Sequence, residues 1–184
     1  MVPLASLWLP ILLSAVVVFL ASAILHMVFR YHFNDFRKLP REDEVMAAVG
    51  AFDLPPGEYA MPYCASASGM KDPDFVEKMK RGPAGFVTIR QAGQAGMGKE
   101  LLWWFVYCVI VSVFAGYVTS RSVGADADYL AVFRLTGTVA FAAYALGLWQ
   151  DSIWYSRSVS TSVKNTFDGL VYALLTAGVF GWLW

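Results

Sequence analysis

The chain has 184 residues, of which 58% are hydrophobic, with seven tryptophans and a formal net charge of zero. That composition exceeds the range of soluble globular proteins, and a zero balance excludes bulk attraction to a polyanion, so no nucleic-acid partner is expected. The two cysteines, Cys64 and Cys108, form no C-x-x-C pattern, so neither a zinc knuckle nor a redox pair is indicated and two free thiols are expected.

Residues 2–29 are apolar except for Ser6, Ser14, Ser22 and His26. This is long enough to cross a hydrocarbon core of ~30 Å. "ASA" at 21–23 resembles a signal-peptide cleavage site, but no Lys or Arg precedes the apolar run, so an uncleaved anchor helix is expected.

Residues 30–99 carry enough pattern for a small α+β insertion. "REDEVMAAVGAF" puts Val45, Met46, Val49 and Phe52 on one helical face. "GEYAMPY" predicts a short strand, with Pro62 favouring an edge position. "DPDFVEKMKRG" predicts a helix with Asp72 as N-cap, Pro73 at its first position and Gly82 as its stop. "GFVTI" predicts a second strand. So short a segment buries little surface, and its core is expected to be thin.

"GQAGMGKE", residues 93–100, has the G-x-x-x-x-G-K spacing of a phosphate-binding loop through Gly93, Gly98 and Lys99. The hydroxyl that would hold magnesium is replaced by Glu100, and the next helix is a membrane span. A glycine-rich hinge with Lys99 as an interfacial anchor is the expected role, and no nucleotide is expected.

Three more spans follow, at 101–119, 129–149 (interrupted by Arg134) and 169–184. The last has only sixteen uncharged residues, so it spans fully only if its helix starts near Lys164 and carries Asp168. Arg134 and Asp168 are intramembrane charges, a functional signature by default. Arg134 lies near one membrane face and Asp168 near the other, on the order of 15 Å apart along the bilayer normal at ~1.5 Å rise per residue, so no direct bridge is expected. Asp126, Asp128 or the terminal carboxylate are nearer partners for Arg134, and Lys164 for Asp168. Two stripes of small residues recur every fourth position: Cys108, Ser112, Gly116 and Ser120, and Gly169, Ala173, Ala177 and Gly181. Such stripes let membrane helices approach closely, either within one bundle or against a partner.

The 30–99 connection holds ten Lys or Arg (Arg30, Arg37, Lys38, Arg41, Lys71, Lys78, Lys80, Arg81, Arg90 and Lys99), and 150–165 adds Arg157 and Lys164. The opposite connection, 120–128, has Arg121 with Asp126 and Asp128. The positive-inside rule places 30–99 in the cytoplasm and both termini outside. Trp8, Trp182 and Trp184 then fall at the outer face, and Trp103, Trp104, Trp149 and Trp154 at the inner one, as aromatic belts do.

His26, near the inner end of the first span, is an axial cofactor ligand only by position. His32 lies six residues on and is expected on a different face, so no cofactor, no metal site and no catalytic site is predicted.

With these spans, the "LPPGEY…PYCAS" segment and the "LVYALLTAGVFGWLW" terminus, the chain resembles a group of uncharacterised bacterial multi-pass inner-membrane proteins. The resemblance implies a location and no activity. The expected fold is an all-α membrane bundle of four transmembrane helices with a small cytoplasmic α+β insertion between the first and second: 1–29 the first helix, 30–99 the insertion, 100–184 helices two to four. The expected partners are the lipid bilayer and other membrane subunits or further copies of the chain. The leading functional expectation is an accessory or assembly subunit of a larger inner-membrane complex, an energy-transducing one among the candidates, docking through the small-residue faces. The alternative is a small oligomeric transporter or channel using Arg134 or Asp168. An enzyme is the least expected class.

Overall fold

The computed structural model describes residues 2–93 and 96–184. In chain order the elements are α1 (Trp8–Met27, entered by a 3-10 turn at Leu4–Leu7), α2 (Glu42–Gly50), β1 (Gly57–Met61), α3 (Pro73–Arg81), β2 (Gly85–Ile89), α4 (Gly98–Ser122), α5 (Tyr129–Tyr144), α6 (Trp149–Trp154) and α7 (Val159–Leu183). They fall into two compact units, residues 1–35 with 96–184, and residues 36–95.

In the first unit four helical stretches are long and apolar enough to cross a membrane: Leu4–Met27, Gly98–Ser122, Tyr129–Trp154 and Val159–Leu183. The fourth starts well before Gly169. "VSTSVKNTFD" is helical, and the charges that interrupt its hydropathy, Lys164 and Asp168, have partners inside the fold. The third stretch is not one helix. α5 stops at Tyr144, Ala145 leaves the helical region, and a 3-10 turn at Leu146–Leu148 leads into α6.

α7 packs most extensively on α5 and also against α1; α1 and α5 both lie against α4. The centre is filled by Ala15, Val18, Cys108, Val111, Ala140, Tyr144, Tyr172 and Ala173. A second cluster joins Leu7, Ile11, Val132 and Phe180.

Both small-residue stripes are used here. A Cβ on Gly116 would sit 2.9 Å from the Phe180 ring, one on Gly169 would sit 2.8 Å from the Ala145 Cβ, and one on Gly181 would sit 2.7 Å from the Tyr129 ring. Cys108, Ser112, Ser120, Ala173 and Ala177 are buried, and the Ser14 hydroxyl donates to Ser112 across 3.1 Å. Apolar side chains such as Leu20, Ile24, Phe114 and Leu174 point outward, the arrangement suited to lipid.

The tryptophans divide into two groups. Trp8, Trp103, Trp154 and Trp182 are exposed. Trp104 and Trp149 turn their indole N–H groups into the bundle, donating to Ser22 Oγ (2.8 Å) and Thr166 Oγ1 (2.9 Å), and Trp184 donates to the Gly124 carbonyl in the loop after α4 (2.9 Å).

In the second unit β1 and β2 pair antiparallel with Tyr59 opposite Val87. Asp72 caps α3 by accepting from the Asp74 N–H at 2.8 Å, with Pro73 at the first helical position and Gly82 (φ 63°) ending it. Among the described residues of this unit none is buried. The apolar face expected of α2 is present, but Met46 and the adjoining Phe52 remain exposed. Of the glycine-rich hinge, Gly93 adopts φ +81° and Gly98 opens α4; Gln94 and Ala95 lie outside the described residues.

Candidate functional site

The first span ends at Met27, and within four residues the chain reverses. Arg30 takes a left-handed conformation (φ 53°, ψ 7°), a region that non-glycine residues seldom occupy. A 3-10 turn over Tyr31–Asn34 follows. This turn carries Tyr31, His32 and Asp35 to the first turns of α7, where Lys164 and Asp168 lie one helical turn apart.

Asp168 is 3% exposed. The Tyr31 hydroxyl donates to its Oδ1, and His32 Nε2 lies 2.8 Å from its Oδ2. His26 Nε2 faces the same Oδ2 at 3.9 Å. The two imidazoles are stacked, with centroids 4.4 Å apart and planes within 4°. The expectation that His32 lies on a different face from His26 is therefore corrected. A continuous helix would separate them, but the helix stops before His32 and the left-handed turn folds the second ring over the first. The spacing between the rings leaves no room for a macrocycle between them.

The outer atoms of both rings are tied down. His26 Nδ1 lies 3.0 Å from the Ser22 carbonyl, an acceptor only, so this nitrogen carries the proton and Nε2 keeps its lone pair when the ring is neutral. His32 Nδ1 lies 2.6 Å from Asp35 Oδ2. Lys164 donates to Asp35 Oδ1 at 2.8 Å and to the Tyr31 carbonyl at 2.7 Å. Burial presses Asp35 toward its neutral form, but the hydrogen bonds from Lys164 and His32 outweigh it and hold its carboxyl below the usual range. Tyr31 is pushed upward, first by burial and then by the Asp168 carboxylate it bonds, so it stays a donor.

Asp168 is not paired with Lys164, its nearest charge in sequence. Lys164 serves Asp35 instead, and Asp168 is held by the segment after α1. Nor does Asp168 meet Arg134, which is exposed on α5 between the inward-facing Val132 and Thr136. Of the partners expected for Arg134, Asp128 caps α5 by accepting from Ala131 N–H at 3.0 Å, and no ion pair of Arg134 occurs among the described residues. One turn beyond Asp168, the buried Tyr172 hydroxyl has no hydrogen-bond partner among the described residues.

Three ligating atoms, one each from His26, His32 and Asp168, lie within 4.8 Å of one another. No serine or cysteine side chain is bonded to either imidazole among the described residues, so the geometry offers a cation-binding cluster rather than an activated nucleophile. Sequence reasoning passed over Tyr31, Asp35 and the role of His32. The signal was the run Tyr31-His32-x-x-Asp35 directly after a span, opposite a Lys–Asp pair four residues apart in another span.

No protein-family model matches the chain, and none of the curated proteins or solved structures compared with it matches either.

Proposed function

We propose that this chain is a multi-pass protein of the bacterial inner membrane that moves a cation, with Asp168 as the residue that receives the ion at the cytoplasmic end of the bundle. The observation that carries this reading is a carboxylate buried in an apolar span and faced by two imidazoles and a phenol. Ionisable groups within a span are costly, and ion pathways are among the roles that retain them. Buried hydroxyls continue beyond it: Thr176 lies two turns further along α7, and Thr119 meets Thr136 at 2.9 Å. The orientation follows from the basic residues of 30–99 and 150–165, with both termini periplasmic.

The test is reconstitution into liposomes with trapped cation indicators. Flux is expected from the wild-type protein and from Arg134→Gln, whose side chain is exposed, and is expected to be lost in Asp168→Asn that still elutes as folded protein. Absent flux, or flux indifferent to Asp168→Asn, would remove the reading.

A second reading, an accessory or assembly subunit of a larger membrane complex, has its own support. Residues 36–93 bury no side chain, while Phe36, Tyr63 and Phe52 are 88%, 76% and 74% exposed. Large apolar side chains left this exposed suit contact with a partner. Gly116, Gly169 and Gly181 pack against Phe180, Ala145 and Tyr129 within the bundle, so this reading rests chiefly on the insertion. Extraction in mild detergent, a native gel and mass spectrometry of the band decide it: a band holding this chain alone sinks the subunit reading.

A further inference from the structure

We propose that His26, His32 and Asp168 form a binding site for a divalent transition-metal ion of the zinc class. This deepens the cation reading by naming the ion, and rests on that reading for the ion's purpose, though not for the site itself.

The inference starts from a surplus of acceptors. With Nδ1 of each ring turned toward an oxygen acceptor, both Nε2 atoms converge on one carboxylate oxygen, Asp168 Oδ2, at 2.8 and 3.9 Å. A proton on His32 Nε2 satisfies the shorter contact, while the His26 lone pair faces the same carboxylate oxygen at 3.9 Å. A divalent ion satisfies all three atoms at once. Imidazole and carboxylate are the ligand types such ions take, and two histidines with one carboxylate leave a coordination position open.

The surroundings are those a metal site requires. Ligating histidines ordinarily give their other N–H to a carbonyl or a carboxylate, which fixes ring and tautomer. His26 has the Ser22 carbonyl and His32 has Asp35, itself held by Lys164. An entry path exists, because the His26 side chain is 49% exposed while Asp168 is enclosed. Metal–ligand distances of about 2.0–2.2 Å in a tetrahedral set put neighbouring ligand atoms roughly 3.4 Å apart. Loading therefore opens the His32–Asp168 contact by about 0.6 Å and closes the His26–Asp168 contact by a similar amount.

The experiment uses the full chain in mild detergent, stripped with chelator and titrated with Co2+, then Zn2+. The expected result is one saturable equivalent of Co2+ with the visible absorption of a tetrahedral site, displaced by Zn2+. His26→Gln and His32→Gln should each weaken binding at least tenfold. Asp35→Asn, which removes the carboxylate charge shared by His32 and Lys164 and leaves the three ligands in place, should weaken it roughly tenfold. Should a variant fail to fold, X-ray absorption of the zinc-loaded wild type reads the ligands directly, with two imidazoles expected. The proposal is overturned if folded wild-type protein shows no saturable binding, leaving a proton as the only cation there. It is equally overturned by binding indifferent to both histidines, or by a spectrum without imidazole. Binding without ion flux would remove the transport reading and keep the site; flux that needs Asp168 but no metal binding would do the reverse.

Discussion

The bundle and the insertion use the same side-chain chemistry in opposite ways. In the bundle the polar groups turn inward: Ser14, Ser112, Thr119, Thr136, Thr176 and Asp168 are buried, while Leu20, Ile24, Phe114 and Leu174 face out. In the insertion no side chain is fully buried among the described residues, and large apolar ones such as Phe36, Phe52 and Tyr63 are exposed. The contrast shows where cohesion comes from in each. Lipid removes the hydrophobic drive between helices, so the bundle is held by close backbone approach at glycines and by buried hydrogen bonds. Buried Ser and Thr hydroxyls bond to the carbonyl four residues back, as in Ser14 to Pro10 (2.6 Å) and Thr176 to Tyr172 (2.9 Å). The insertion has one antiparallel strand pair, one capped helix and an exposed Lys78–Asp74 ion pair, devices of modest strength.

If that contrast is real, substitutions should sort by region. The largest effect is expected at Asp168→Ala, which leaves the half-buried Tyr31 hydroxyl and His32 Nε2 without the acceptor they share. A loss of about 3–5 kcal/mol is the scale for removing one partner of a buried charged cluster. Denaturant unfolding in detergent reads it, and an unshifted curve would mean the cluster does not hold α1 to α7. Next comes the glycine comparison. Gly169→Val must displace Ala145, including its Cα at 3.2 Å from the new Cβ, with an expected cost of about 2 kcal/mol. Gly85→Ala in the insertion meets nothing within 4 Å and should stay within about 0.5 kcal/mol. Equal costs at the two sites would erase the distinction. The smallest effect on folding is expected at Phe52→Ser, again within about 0.5 kcal/mol. Its value lies in the native gel: loss of a high-mass band without loss of stability would show that the exposed face of the insertion docks.

Much of this organisation is legible in sequence because it rests on local rules. Hydropathy finds the spans, the four-residue spacing of small residues finds the contact faces, and Asp72-Pro73 with Gly82 finds α3. The break after Tyr144 is not legible, since Ala145-Leu146-Gly147 is as apolar as the helix it interrupts. The site is half legible. Asp168 stands out as a charge in a span, but its partners come from a turn whose direction is set by Arg30. An arginine gives no hint of a positive φ, whereas a glycine at that position would have. Helical geometry extended past Met27 separates His26 from His32, and the turn superimposes them.

His32 and Asp168 are separated by 136 positions along the chain. At a synthesis rate of about 5–20 residues per second, His32 is made on the order of ten seconds before the carboxylate it bonds. The cup of donors after the first helix is therefore present before the most costly residue of the last helix must leave water. The turn at residues 30–35 is thus made well before the carboxylate it holds, and its integrity is expected to bear on how the last helix enters the membrane. Damage to it, as in a His26→Ala, His32→Ala double substitution, should appear first as incomplete integration of residues 159–184. A glycosylation site placed after Trp184 would report that directly.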